Sequence, residues 1–186
     1  MVCPLLRFEA TDAALPTAWD VLVFTSANAV AFWSGPFEGV LAAVGPKTAA
    51  LLPRVDVMPT TALGSALVAA LAEVGVRGRR VCYPRAEEVP PDFERALEDE
   101  GAIVLGVPVY RTVPTSPRLP DHDRVALASG SAARNYARLG GKAPCVCIGP
   151  STAAVALECG LTVAAVASPH TSEGLAAACV SDTRPR

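Results

Sequence analysis

The chain has 186 residues, of which 51% are hydrophobic, with 16 basic and 18 acidic side chains. This length is sufficient to bury a substantial core, and the near balance of charge excludes the broad basic face that nucleic-acid-binding proteins use. The N-terminus lacks a basic region followed by an apolar one, and no apolar run approaches the roughly 20 residues of a membrane span. We therefore expect a cytoplasmic protein that binds neither nucleic acid nor membrane.

The first part of the chain predicts a complete α/β lobe. Short apolar runs predict strands near residues 21–24, 42–44, 55–58, 80–83 and 102–107. Between them, Leu67 and Leu71 share one face of a helix that ends at Gly75, and Phe93 and Leu97 share one face of a helix that ends before residue 101. Alternating strands and helices are typical of a parallel sheet, and five such strands complete a doubly wound, flavodoxin-like lobe.

The remainder of the chain predicts a second lobe with fewer strands, near residues 125–128, 145–148 and 162–166. The opening residues 3–8 supply a possible fourth strand, which makes this lobe discontinuous. The predicted division is a central lobe of residues 18–109 and a second lobe of residues 1–17 and 110–186. Two extended segments, residues 9–18 and 108–120, cross between them.

An internal repeat supports two related lobes. The segment VLVFTSANAVAFW from Val21 recurs as VALASGSAARNYA from Val125, an offset of 104 residues. At the same offset, AAVGPKTAALLP matches CVCIGPSTAAVAL, which aligns Gly45-Pro46 with Gly149-Pro150. Self-similarity that keeps one register over two segments indicates duplication.

The six cysteines predict no metal site. They lie at positions 3, 82, 145, 147, 159 and 179, without the paired CxxC spacing of zinc sites. In a strand, Cys145 and Cys147 share one face, which predicts that both are small buried hydrophobic residues.

Polar side chains cluster where the predicted strands lead into helices. In open parallel sheets, ligands bind beyond the carboxyl ends of the strands, and helix N-termini favour anions. Because hydroxyls are also ordinary helix caps, capping is the alternative role for each of them. The predicted anion-binding residues are Thr25, Ser26, Asn28, Thr48, Ser129, Ser131, Ser151, Thr152 and Thr171.

Three larger side chains require separate consideration. Arg85 follows a strand end, where it binds a carboxylate or forms an ordinary surface ion pair. Tyr110 lies in VPVYRT at the crossing, where its ring packs or its phenol donates into a cleft. His122 lies in the polar run PDHDR, which predicts a solvated side chain.

Taken together, DVLVFTSANAV, AVGPKTAALL, VPVYRT, CIGPSTAA and PHTSEGL resemble, in their order, segments of the uroporphyrinogen-III synthase family. The resemblance spans nearly the whole chain. It implies two flavodoxin-like lobes joined by a two-stranded linker. It also implies a cofactor-free reaction in which hydroxymethylbilane, a carboxylate-rich linear tetrapyrrole, loses water and closes with inversion of ring D. Hydroxymethylbilane synthase is then the expected donor of substrate, and the protein is expected to be a monomer.

The resemblance also assigns roles to residues. Tyr110 matches the cleft tyrosine that assists departure of the hydroxyl, and Thr25, Ser26, Thr48, Ser129, Ser151 and Thr152 match hydroxyls around the cleft. The family normally begins with a further βα unit before the segment matched by VCPLLRFEA. Either translation starts upstream of Met1 or this chain has lost that unit. The alternatives to a synthase are a non-catalytic two-lobed module that binds an anionic metabolite, and an inactive truncated homologue.

Overall fold

The computed structural model describes residues 2–181, which form two compact units. One unit is the continuous stretch Phe8–Thr112, and the other combines residues 2–7 with residues 113–181. The chain passes between the units within strand β1 (Leu6–Ala10) and again within strand β5 (Ile103–Pro114). Within the described residues, no helix has the length and apolar character needed to cross a lipid bilayer.

A five-stranded sheet organises the continuous unit. Its further strands are β2 (Val21–Phe24), β3 (Val40–Ala43) and β4 (Arg80–Ala86), and its helices are α1 (Ala27–Ala31), α2 (Pro46–Ala49), α3 (Gly64–Val74) and α4 (Asp92–Asp99). The order is β1-β5-β4-β2-β3, and the β2–β3, β2–β4 and β4–β5 pairs are parallel. Strand β3 lies on one side of β2, while β4 and then β5 lie on its other side. The order in which successive strands are added to the sheet therefore reverses between β2 and β4. This is the doubly wound arrangement predicted from the sequence.

Two apolar cores cover the two faces of this sheet. Alternate residues of β2 face opposite sides, with Val21 and Val23 in one core and Leu22 and Phe24 in the other. The first core packs against α3 and α4, and the second packs against α1. Helix α3 ends where Gly75 adopts a left-handed conformation with φ 86°, as the sequence predicts.

The prediction of a strand at residues 55–58 is wrong. This segment makes one isolated parallel bridge, between Ala42 and Val57, and does not continue as a strand. The reason is local, since Asp56 Oδ2 accepts a hydrogen bond of 2.8 Å from the Leu41 amide and therefore takes the place of a backbone carbonyl. Pro53 and Pro59 on either side have no amide hydrogen to donate.

The discontinuous unit contains a three-stranded parallel sheet with the order β6-β7-β8. Its elements are β6 (Val125–Leu127), α5 (Gly130–Arg138), β7 (Cys145–Cys147), α6 (Pro150–Glu158), β8 (Val163–Val166) and α7 (Ser172–Ser181). Cys145 and Cys147 face the core that includes residues of α5 and α6, while Val146 faces the core that includes Leu175 of α7. The prediction that the two cysteines share one buried face is confirmed.

The opening segment does not add a strand to this sheet, contrary to the sequence-based expectation. Residues 6–10 form β1, which instead pairs with β5 in the larger sheet. Leu5 nevertheless packs against the core of the discontinuous unit, and its carbonyl accepts hydrogen bonds from the Asn135 amide and the Thr115 backbone. A side chain of α5 therefore binds the residue before β1, while β1 itself pairs at the edge of the five-stranded sheet.

Both copies of the repeat place a Gly-Pro turn at the start of a helix. Gly45 and Gly149 precede α2 and α6 in extended conformations, with proline at the first helical position of each. Thr48 and Thr152 occupy the same place after the turn and are 4% and 3% exposed. The repeat in the sequence aligns Ser129 with Thr25. In the structure, however, Ser129 caps α5 as Ser26 caps α1, so the equivalent hydroxyls are displaced by one residue.

His122 is half-buried and hydrogen-bonded through both ring nitrogens, whereas its polar surroundings predict a fully solvated side chain. Its Nε2 lies 2.7 Å from the Tyr136 hydroxyl, and its Nδ1 lies 2.5 Å from the Pro120 carbonyl oxygen. Because a carbonyl can only accept, Nδ1 carries a hydrogen that it donates to Pro120. Tyr136 is buried in the core beside β6, so its phenol needs His122 as a partner.

Candidate active site

The reversal of strand order between β2 and β4 marks the crevice where open α/β sheets bind ligands. Thr25 directly follows β2, and Tyr83 and Arg85 lie in β4. By strand alternation, Thr25 continues the face of Val21 and Val23, and Tyr83 packs in that same core. Polar groups from two adjacent strands therefore meet on one face of the sheet.

The Tyr83 phenol of β4 and the Thr25 hydroxyl at the end of β2 form a hydrogen bond, with 3.1 Å between their oxygens. Tyr83 is 5% exposed, while Thr25 is half-buried. The Tyr83 ring is held by Phe93 of α4, with ring centroids 4.9 Å apart. A buried phenol thus supports a hydroxyl that solvent or a ligand can reach.

Arg85 pairs with Glu94 of α4, with 2.5 Å between Nε and Oε1. Both side chains are about four-fifths buried, and the two atoms meet as opposite charges rather than as an aligned hydrogen bond. Arg85 also donates from Nη1 to the carbonyls of Ala86 and Glu87, at 2.9 and 3.0 Å. The guanidinium is therefore held in place beyond the middle of β4.

Gly106 of β5 gives this ion pair its space. It lies opposite Tyr83 in the sheet, and a Cβ at this position would stand 2.8 Å from Glu94 Oε1 and 3.2 Å from Arg85 Nε. A larger residue at this position would require the Glu94 carboxylate and the Arg85 guanidinium to shift. The absence of a side chain on β5 thus positions the charges that follow β4.

Tyr110 lies in β5 but belongs to the core on the opposite face of the sheet. Its ring stacks on Phe32, with centroids 5.5 Å apart and 20° between planes, and meets Phe8 edge-on at 5.6 Å. The packing role that the sequence left open for this tyrosine is therefore present.

The electrostatic environment keeps Tyr83 protonated. Burial raises the pKa of the Tyr83 phenol, and the Thr25 hydrogen bond opposes that effect. Glu94 and Tyr110 also raise this pKa, while Arg85 lowers it. The phenol is therefore a neutral hydrogen-bond donor throughout the physiological range of pH.

Three of the predicted anion-binding residues cap helices. The Ser26 and Ser129 hydroxyls accept hydrogen bonds from the amides of Ala29 and Ala132, at 3.0 and 3.2 Å. Thr171 accepts from the Gly174 amide at 3.1 Å at the start of α7. Asn28, Ser131 and Ser151 lie within the first turns of α1, α5 and α6.

Sequence reasoning missed Tyr83 and Glu94 as members of this site. Tyr83 had a visible signal, since it is the one hydroxyl-bearing residue in the apolar run at residues 81–84. Glu94 had none, because acidic residues in the first turn of a helix are common wherever helices begin. The pairing of Arg85 with Glu94 depends on how α4 packs on the sheet.

The discontinuous unit contains a cavity of about 380 Å³ beside β6, and its lining includes Leu5, His122, Val125 and Tyr136. Its polar lining comprises the hydrogen-bonded His122 and Tyr136 together with the charged residues Asp121 and Arg124. Among residues 2–181, no cluster of three or more His, Cys, Asp or Glu side chains is arranged to hold a metal ion. The buried thiols are poor nucleophiles, because burial raises the pKa of Cys82 to about 12 and that of Cys147 to about 11.

Solved structures with the same fold include two bacterial enzymes. The chain is similar to uroporphyrinogen-III synthetase from Helicobacter pylori, with 20% identity, a TM-score of 0.74, and coverage of 95% of this chain and 90% of that one. It is also similar to a mutant uroporphyrinogen III synthase from the extremely thermophilic bacterium Thermus thermophilus, with 16% identity, a TM-score of 0.57, and coverage of 96% and 87%. A comparison with curated protein sequences found no significant match.

The family model described as uroporphyrinogen-III synthase HemD matches residues 1–177. This match extends through both units and includes the crevice residues Thr25, Tyr83 and Arg85. The two-lobed α/β fold of the solved synthases is the fold of this chain. The chain therefore belongs to the uroporphyrinogen-III synthase family, the cyclising lyases of tetrapyrrole synthesis.

Proposed function

We propose that the chain converts hydroxymethylbilane into uroporphyrinogen III, with loss of water and inversion of ring D. The observation that carries this proposal is the family match over residues 1–177. The crevice supports it, because a fixed guanidinium and a supported hydroxyl at one sheet edge suit a substrate with many carboxylate arms. Both groups lie where parallel sheets bind ligands.

The reaction places modest demands on the protein. The electron-rich pyrroles of the substrate drive departure of the terminal hydroxyl, so the protein mainly has to fold the linear chain and stabilise developing charge. Hydroxyls and backbone amides at the strand ends grip the acetate and propionate arms. Closure of the binding groups around the substrate then brings the two ends of the tetrapyrrole together.

Tyr110 is the proposed proton donor for the departing hydroxyl. A phenol that donates its proton as the C–O bond breaks allows the hydroxyl to leave as water. Stacking on Phe32 fixes the ring, so the direction of the phenol is also fixed. The resemblance of VPVYRT to the family segment assigns this role to Tyr110.

Thr25, which follows β2, and Arg85, in the neighbouring strand β4, are the proposed binding groups at the crevice. The proposed substrate contacts outside it are Ser26, Asn28, Thr48, Ser129, Ser131, Ser151, Thr152 and Thr171. For Ser26, Ser129 and Thr171, contact with substrate has to be compatible with capping, because a capping oxygen retains its own hydrogen as a donor.

We further propose that the protein acts in the cytoplasm as a monomer and receives hydroxymethylbilane from hydroxymethylbilane synthase. A direct hand-over suits a substrate that also closes spontaneously to the type I isomer. Sedimentation of the purified chain, alone and mixed with that enzyme, measures the oligomeric state and the interaction.

A coupled assay tests the catalytic proposal. Hydroxymethylbilane synthase generates the substrate in situ, and the porphyrins are oxidised and separated into types I and III. We expect type III product in proportion to the amount of chain added. Type I alone, at the rate seen without the chain, would contradict the proposal.

A further inference from the structure

The Tyr83 hydroxyl is a polar group in an apolar core. Tyr83 lies in the core between the sheet and α3 and α4, 5% exposed, where phenylalanine would fill the same space without a polar atom. A buried hydroxyl costs free energy unless it is hydrogen-bonded, and pairing it generally recovers little more than that cost. The phenol therefore calls for an explanation other than packing.

The hydrogen bond to Thr25 has a preferred direction. A phenol is a stronger acid than an aliphatic alcohol, and Tyr83 remains protonated here, so it donates to the Thr25 oxygen. Thr25 has one hydrogen of its own, and that hydrogen is then directed away from Tyr83. Because Thr25 is half-buried while Tyr83 is buried, the remaining hydrogen is the one available to a ligand.

The ring that carries the phenol is held firmly. Phe93 contacts it from α4, and the Arg85–Glu94 pair lies on the same side of β4. A side chain fixed in this way maintains the direction of its hydrogen bond. The Thr25 hydroxyl consequently points one way rather than rotating among three staggered positions.

We propose that Tyr83 is a positioning residue for substrate binding, with its phenol orienting the Thr25 hydroxyl as a donor to a carboxylate arm of the tetrapyrrole. This inference rests on the proposed function. Tyr83 acts through Thr25 and does not touch the reacting carbon atoms. Its removal therefore affects the KM for hydroxymethylbilane more than kcat.

A double-mutant cycle tests this inference, with Tyr83→Phe, Thr25→Val and the two combined. In the otherwise unaltered chain, we expect Tyr83→Phe to raise KM about fivefold with kcat nearly unchanged, as for loss of one oriented hydrogen bond. With Val at position 25, the same change should have almost no effect on KM, because the hydroxyl that it orients is gone. The control Tyr136→Phe removes another buried phenol, from the discontinuous unit, and should leave KM unchanged.

The outcomes separate the inference from the proposed function. If the unaltered chain makes type III product but Tyr83→Phe leaves KM unchanged, the inference is wrong and the function stands. If Tyr83→Phe raises KM equally with Thr or Val at position 25, Tyr83 does not act through Thr25, which also overturns the inference. An unaltered chain that makes no type III product would overturn both.

Thermal unfolding of each variant guards against a purely structural effect. If Tyr83→Phe does not fold, Thr25→Ser and Thr25→Val provide the comparison from the other partner. Serine keeps the hydroxyl that Tyr83 orients, so we expect its KM to stay near that of the unaltered chain while valine raises it. Equal KM values for these two variants would overturn the inference.

Discussion

Arg85 of β4 and Glu94 of α4 join the sheet to a helix through charges 2.5 Å apart, across the space that Gly106 leaves open. The pair has a double role in a site for a carboxylate-rich substrate. Glu94 holds the guanidinium in place, yet it also neutralises part of the charge that attracts an anion.

Replacement of Arg85 and replacement of Glu94 should therefore change substrate affinity in opposite directions. We expect Arg85→Gln to raise KM about tenfold, as for loss of a charge-assisted hydrogen bond. Glu94→Gln should lower KM, because the guanidinium is then free of its internal counter-charge. Steady-state kinetics at two salt concentrations provide the measurement. Arg54→Gln removes an exposed arginine paired with Asp56 and is the matched control for loss of charge; equal KM effects at positions 54 and 85 would contradict the prediction.

Removal of the Tyr110 phenol should slow the chemical step. We expect Tyr110→Phe to reduce kcat about a hundredfold, the usual contribution of a positioned proton donor. The aromatic contacts with Phe8 and Phe32 remain, so the melting temperature should fall only slightly. The coupled assay measures the first effect and calorimetry the second. Turnover at the unaltered rate would reject a catalytic role for this phenol.

Asp56 should make the continuous unit sensitive to acid. The hydrogen bond from the Leu41 amide, and to a smaller extent Arg54, lower the pKa of the Asp56 carboxyl below its ordinary value of 3.8. A carboxyl whose pKa is lower in the folded state stabilises that state above pH 3.8, and the stabilisation disappears as the pH falls below it. Since both side chains of the ion pair are more than 40% exposed, we expect Asp56→Asn to cost no more than about 1 kcal/mol at neutral pH.

Urea unfolding of this variant between pH 3 and pH 7 checks the prediction. The difference in unfolding free energy should shrink as the pH decreases. Glu73→Gln, an exposed position on α3, is the control for loss of a carboxylate. A difference that stays constant over this range would mean that the Asp56 charge does not contribute.

Asn135 should stabilise the discontinuous unit out of proportion to its size. Its amide nitrogen donates to the carbonyls of Leu5 and Thr115, at 2.5 and 2.9 Å, and its oxygen accepts from Arg138 at 2.8 Å. Asn135→Ala leaves those half-buried carbonyls without this partner, and we expect a loss of about 2 kcal/mol.

Chemical unfolding of that variant provides the test. Arg134→Ala, at an exposed position of the same helix, should cost less than about 0.5 kcal/mol. Similar losses at the two positions would show that the amide hydrogen bonds contribute nothing beyond helix propensity.

The sequence pattern predicts most of the strands, because their positions follow from local apolar runs such as VLVF and from glycines that end helices. It fails where a side chain replaces a backbone partner. Asp56 has the spacing of a strand residue, yet its carboxylate takes the hydrogen bond that a strand would have used. It also fails for residues 6–10, since which sheet edge a strand joins depends on long-range pairing.

The candidate site was predictable only in part for the same reason. The strand-end position of Thr25 follows from the sequence, and so does the placement of Arg85 after an apolar run. The contact between Thr25 and Tyr83 does not, because it requires β2 and β4 to be neighbours although they are separated by β3 in the chain. Strand order is set by the packing of the whole unit rather than by any local segment.

The double passage of the chain through β1 and β5 has a consequence for synthesis on the ribosome. The continuous unit ends at Thr112, so all of its contacts become available as soon as that residue emerges. The Leu5 carbonyl, in contrast, must wait for Asn135 to be translated before it gains that partner. Because domains generally fold as units while the chain is still growing, the first residues of this protein should be among the last to reach their final place.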